Sequence, residues 1–271
     1  MQTIGSREYK LMLDAARFAG DEEHLKKTAG TLWGELAAII IPHAIAVSGT
    51  DDVEHKRREV RFFDTADKWL RTSDYAFRER VDREAGEREV TLKYRHPDRF
   101  ISQDRDMKPA DDFKPDLKFE EDIKPPFQSL YSFSSNTLVK DDVEFTTLKD
   151  AAKLYPGLPG SVDEFPESEP LTVVGGLTAY ERVVKGTSFK IRNKPEVSAE
   201  CSLTLWYDSE QGEAPLLAEF SFKYADPDEA YTGKMARRAY GAFVAIQGGL
   251  GKWIDAKSPT KTAYVYSMDE R

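Results

Sequence analysis

The chain has 271 residues, 40% hydrophobic and 32% charged, with a formal net charge of -9. That is the composition of a soluble globular protein of one large domain or two small ones, and its acidic balance argues against a nucleic-acid or anionic-membrane surface. The single cysteine, Cys201, excludes an intrachain disulfide framework and points to a reducing, cytoplasmic setting.

The charged N-terminus shows no signal-peptide core. Ser6 to Leu13, "SREYKLML", alternates Glu8, Lys10 and Met12 against Tyr9, Leu11 and Leu13, which predicts a strand. Asp21 to about Ile40 reads as a helix, with acids in its first turn and Leu25, Leu32, Leu36 and Ile39 at helical spacing. The longest apolar run, Leu36 to Val47, is too short to span a bilayer and is broken by Pro42 and His43. Val53 to Phe63 is expected as a strand. Ala76 to Arg95, "AFRERVDREAGEREVTLKYR", predicts a hairpin with Arg78, Arg80, Thr91 and Lys93 on one face.

Pro97 to Lys118 is polar, is interrupted by Pro109 and Pro115, and reads mainly as a connection. "LKFEEDI" predicts a strand with Lys118, Glu120 and Asp122 on one face. A short helix is expected over Thr147 to Tyr155 and a loop over Pro156 to Pro170. Strands are expected at Leu177 to Val184, Ser188 to Arg192, Glu200 to Asp208 and Leu216 to Tyr224. Asp228 to about Ile246 is the final helix, stopped by Gly248 and Gly249.

About eight mostly consecutive strands make an antiparallel α+β domain. Several strands pair an apolar face with one carrying charges of both signs. A solvated outer face would read the same way. Closure of the sheet would instead turn the charged faces into a shared lumen and the apolar faces outward, under the helices.

"SREYKLML", "VRFFDTADKWLRTSDYAFRERV", "VTLKYR", "KFEEDI" and "LLAEFSFKY" come in the order expected of the CYTH, or triphosphate tunnel metalloenzyme, superfamily, which the chain resembles from Ser6 to about Gly248. Arg99 to Leu117 and Asn136 to Pro170 match least. The resemblance implies a single domain over residues 1–271: a closed antiparallel eight-stranded β-barrel with helices packed outside and a C-terminal helix and tail from 228. It implies a small-molecule triphosphate substrate bound with Mg²⁺ or Mn²⁺. Lys10, Arg78, Arg80, Lys93 and Arg182 would hold phosphate, with Lys185 and Lys190 competing for the last position. Glu8, Glu120, Asp122, Asp208 and Glu219 would be metal ligands, and Glu8, Lys10 and Asp208 the catalytic set.

Two carboxylates of that pattern are missing. Ser6 stands where the first strand motif carries Glu, and Ser221 replaces the second acid of the Glu219 pair. Hydroxyls are poor ligands for hard cations, so a metal position is weakened while the basic set stays whole. The implied activity is metal-dependent hydrolysis of tripolyphosphate, thiamine triphosphate or a nucleoside triphosphate. The alternatives are adenylate cyclase chemistry on the same scaffold and non-catalytic binding of polyphosphate or nucleotide. The four histidines lack ligand spacing, and no zinc pattern, P-loop or Ser/His/Asp set stands out.

Overall fold

A computed structural model describes residues 2–49, 55–161, 164–226 and 228–268. In chain order, β1 (Ser6–Leu13) leads to α1 (Glu22–Ile40), β2 (Ala46–Ser48), β3 (His55–Asp64) and α2 (Trp69–Thr72). The hairpin β4 (Tyr75–Asp82) and β5 (Arg88–His96) precedes α3 (Arg99–Gln103), β6 (Asp116–Lys124), β7 (Gln128–Val139), α4 (Leu148–Leu154) and β8 (Thr172–Val173). Then come β9 (Ala179–Arg192), β10 (Val197–Tyr207), β11 (Leu217–Ala225), α5 (Gly233–Gly249) and α6 (Lys261–Met268).

The strands run β9-β10-β11-β1-β6-β7-β5-β4-β3, and β3 pairs back onto β9. Among the described residues this closes a barrel of nine strands rather than eight. It is also mixed rather than wholly antiparallel: β1 and β6 pair parallel, with Glu8 beside Asp122 and Ser6 beside Glu120. The extra strand relative to the sequence reading is β7, which lies between β5 and β6. Serines on both of its faces, Ser132 and Ser134 inward and Ser129 and Ser135 outward, hide the usual apolar alternation. The strand expected at Val53 to Phe63 begins among the described residues at His55; Val53 and Glu54 lie outside them.

The two strands expected at Leu177 to Val184 and Ser188 to Arg192 are one, β9, running through Gly186. A Cβ at Gly186 would collide with the Trp33 indole of α1, so glycine lets the helix lie directly on the strand.

Alternation divides the side chains as closure requires. The outward residues Tyr9, Leu11, Phe220, Phe222 and Tyr224 pack with Leu32 and Leu36 of α1 and Ala239 and Phe243 of α5. On the opposite wall, Phe77, Leu92 and Phe133 pack with Leu148, Ala151 and Tyr155 around α4. A third cluster joins the inward residues Val60, Phe62, Ala76 and Trp206 to Val265 and Tyr266 of α6. The barrel is therefore apolar inside at one end, and α6 caps that end. No described helix is long and apolar enough to cross a membrane.

Candidate functional site

The inward faces enclose a cavity of about 380 Å³, lined by side chains of both charges from β1, β3, β4, β5, β6, β11 and α6, with Ser134 and Asn136 of β7 and Trp206 of β10. Of the residues expected to hold phosphate, Lys10, Arg78, Arg80 and Lys93 line it together. Of those expected to hold metal, Glu8, Glu120 and Glu219 line it too. Asp122 is buried beside it and bonds to Lys10.

Arg182 and Asp208 stand apart. Arg182 points outward, stacks over Tyr207 with its guanidinium carbon 4.3 Å from the ring centroid, and donates to the Glu210 and Gly212 carbonyls. The residue of β9 that faces the lumen is its neighbour Glu181, buried between Arg58, Arg80 and the Trp206 indole. Asp208 follows the last residue of β10, is exposed, and accepts from Ser209. Neither is placed to touch a ligand in the lumen. Lys185 and Lys190 do not line the cavity either.

The structure adds cations outside the set expected to hold phosphate. Arg58, Arg95, Lys118, Lys223 and Lys261 all line the cavity. Arg58 sits in "HKRREVRFFD", whose cations fall on both faces, so alternation alone could not single it out. Lys261 arrives on a helix, outside any strand pattern.

Those acids of the lumen expected to hold metal are paired. Lys10 lies 2.9 Å from Asp122 and 3.0 Å from Glu8. Glu120 accepts from Lys223 and, at 2.7 Å, from the Ser6 hydroxyl. Glu219 holds Lys261 at 2.8 Å. Burial alone would raise the pKa of Asp122, but Lys10, Lys93 and Arg95 outweigh it and hold the group well below the usual carboxylate range. Burial opposes and cations prevail in the same way at Glu120 (Lys93, Lys223) and Glu181 (Arg80, Lys261), each held down to about 2.

The basic set divides. Burial would lower the pKa of Lys10, but Asp122 and Glu8 reverse this and keep it firmly charged. At Lys93 burial wins over Asp122, and with Arg95 and Lys10 close by the pKa falls to about 8. Burial, then Arg80, depresses Arg78. Arg78 forms no ion pair among the described residues; its one side-chain partner is the Thr91 hydroxyl, at 3.1 Å. The Nε groups of both Arg78 and Arg80 are buried without a hydrogen-bond acceptor. Buried guanidinium donors without partners are costly, and an oxyanion lodged between them would remove that cost.

The donor chemistry suits a divalent cation, but its arrangement does not. Among the described residues no three His, Cys, Asp or Glu side chains converge. Each candidate carboxylate in the lumen is instead committed to an ammonium. The positions where more negative charge would draw in a metal, Ser6 and Ser221, carry hydroxyls. The residues present do not fit a metal centre held by the protein alone.

The Ser-x-Glu-x-Lys strand, the Arg-x-Arg and Thr-x-Lys strands and the acidic strand thus face one lumen. No family model matches the chain, and no curated protein does. Solved structures do match it. A candidate adenylyl cyclase from Hippeastrum, described as revealing a dominant triphosphatase activity, is 13% identical with a TM-score of 0.46, over 97% of this chain and 96% of that one. A candidate adenylate cyclase from Bacillus halodurans is 11% identical with a TM-score of 0.36, over 97% and 98%. One from Vibrio parahaemolyticus is 8% identical with a TM-score of 0.36, over 98% and 99%.

Proposed function

We propose that the tunnel binds the triphosphate group of a small molecule, with Arg78, Arg80 and Lys93 as the grip. The observation that supports this most is the pair of arginines whose buried Nε donors lack a hydrogen-bond acceptor, on the wall of a polar cavity of about 380 Å³. A linear triphosphate carries about four negative charges near neutral pH, and its desolvation needs several fixed cations. Planar guanidinium forks meet phosphate oxygens two at a time, and adjacent inward positions on a strand hold them rigidly. Arg58, Arg95, Lys118 and Lys223 enlarge the basic wall. A divalent ion, on this reading, would come as part of the substrate's own metal complex.

A second reading, hydrolysis of the bound triphosphate, is favoured by Lys93. An amine with a pKa of about 8 exchanges protons near neutral pH. Its neutral form would take a proton from an attacking water. The water oxygen forms the new bond to the terminal phosphorus, the bridging P–O bond breaks, and the diphosphate leaves with its electron pair. The arginines would stabilise the charge that shifts onto that leaving group.

Calorimetric titration with tripolyphosphate tests binding, and phosphate release from the same samples tests hydrolysis. Saturable binding at one site per chain supports the first reading. Binding without any release of phosphate leaves a binding protein and removes the second. Cyclic AMP with pyrophosphate from ATP would identify cyclase chemistry instead.

A further inference from the structure

In the tunnel a cation stands at every carboxylate that a divalent ion would need. Lys223 bonds to Glu120 and lies opposite Glu8 in the β1–β11 register. The Ser6 hydroxyl occupies a further lone pair of Glu120, at 2.7 Å. Lys10 lies 3.0 Å from Glu8 and 2.9 Å from Asp122. Lys261 reaches Glu219 at 2.8 Å from the start of α6, and Tyr266 anchors that helix to Asp64. Glu89 lies opposite Arg80 in the β4–β5 register. Nine basic side chains and four carboxylates line the wall, so positive charge is in excess before any ion enters. The buried Asp122 and Glu181 beside it reduce that excess without reversing it.

We infer that the tunnel takes its triphosphate free of metal, with Lys223 and Lys261 serving at Glu120 and Glu219 in place of a divalent ion, so that Mg²⁺ competes with the protein for the anion. The inference rests on the triphosphate reading of the tunnel and fixes which form of the anion binds. A bridging ion has two tasks. It offsets phosphate charge, and it ties phosphate oxygens to wall carboxylates. An ammonium does both: it is a fixed positive charge with three N–H donors, and one donor spent on a carboxylate leaves two for phosphate oxygens.

Exchange of these ammonium groups for a metal is unfavourable at both places. At Glu120 a divalent ion must displace Lys223 or lie against it, with Lys93 a further 3.9 Å neighbour of the same carboxylate. At Glu219 the surroundings are more hostile. A small cavity of about 240 Å³ beside it is lined by Lys10, Arg71, Arg95, Lys124 and Lys261 against only Asp122 and Glu219. A dication there meets like charge from five side chains, at short range and partly out of water. Mg²⁺ demands an octahedron of oxygens and sheds water reluctantly, and the hydroxyls of Ser6 and Ser221 do little to draw it in. A triphosphate already complexed with Mg²⁺ also carries less negative charge to this wall.

Calorimetric titration of the wild-type chain with tripolyphosphate, in EDTA and in excess Mg²⁺ at matched ionic strength, makes the test. The anion is expected to bind in EDTA, and at least about ten-fold more weakly in Mg²⁺. A smaller loss, equal affinity, or binding strengthened by Mg²⁺ overturns the inference. The role of the two lysines has its own readout, which needs no anion. Lys223→Met and Lys261→Met each release one carboxylate, and each is expected to bind Mn²⁺ at least about ten-fold more tightly than the wild type by electron paramagnetic resonance. Unchanged Mn²⁺ affinity in both overturns the assignment. The two lysines lie on different elements, so if circular dichroism shows that one variant is unfolded, the other carries the comparison. Failure of tripolyphosphate to bind in either condition would instead remove the underlying triphosphate reading.

Discussion

Tyr266 on α6 donates its phenol proton to Asp64 across 2.7 Å at the capped end of the barrel. Asp64 is fully buried and also accepts from the backbone N–H groups of Thr65, Leu70 and Arg71, so one carboxylate caps α2 and anchors α6. The Arg71 guanidinium lies over the Tyr266 ring at 4.6 Å. The Phe63-Asp64-Thr65 turn thus serves to hold the C-terminal helix, and with it Lys261, against the lumen. Tyr266→Phe removes one hydrogen bond to a buried charge and is expected to lower the unfolding free energy by about 2 kcal/mol. Urea denaturation measures this; an unchanged midpoint would mean that α6 is not held through Asp64.

The basic wall can be tested against a cation that lies outside it. Arg78→Ala and Arg80→Ala are each expected to weaken tripolyphosphate binding by about 10- to 100-fold, because each removes charge-assisted bonds to the anion. Arg182→Ala should leave affinity within about two-fold, since that side chain stacks on Tyr207 outside the barrel. Titration of the three variants under one salt condition makes the comparison.

Lys93 ties binding to pH. Its ammonium is fully present below a pKa of about 8 and is lost above it, so tripolyphosphate affinity should fall as pH rises through that value. Lys93→Arg should flatten the profile. Folding stability moves the other way. From about 8 up to the ordinary lysine value the unfolded chain holds the proton and the folded chain does not, so this group makes the protein more stable as pH rises across that window. Paired binding and denaturation curves separate the two trends.

Glu120 and Glu181 set the acid limit. Both are held down to about 2, so the unfolded chain takes up protons first as pH falls from the ordinary glutamate value towards 2. Their contribution to stability is whole above that window and disappears through it. Glu181→Gln should reduce the steepness of acid unfolding followed by circular dichroism.

Ser6 and Ser221 concern the metal. Ser6→Glu with Ser221→Glu adds two carboxylates to a lumen in which Glu8, Glu120 and Glu219 are already matched to ammonium groups. The double variant is expected to bind Mn²⁺ at least about ten-fold more tightly than the wild type in the absence of any phosphate, as read by electron paramagnetic resonance. Equal affinities would show that the two serines do not limit metal binding.

Much of the lumen was legible because a strand places every second residue on one face. Glu8 and Lys10, Arg78 and Arg80, and Lys93 all line the cavity as alternation requires, with Glu120 beside them on β6. The same rule could not choose between Glu181 and Arg182. These charged neighbours point to opposite faces, and the irregular pairing of β9 with β10 leaves the parity of β9 open in the sequence. Asp208 keeps the inward parity of Trp206, but the strand ends before it. The serine-rich β7 and the parallel β1–β6 pair leave no local signal, because chain order does not determine which strands become neighbours. Lys261 was hidden for a similar reason: only tertiary packing of α6 brings it to Glu219.

A crystal structure of the protein soaked with tripolyphosphate tests the convergence of cations most directly. The anion is expected inside the barrel, with oxygens within hydrogen-bond distance of Arg78, Arg80 and Lys93. An empty lumen at saturating tripolyphosphate, or an anion bound only on the outer surface near Arg182, would contradict the account.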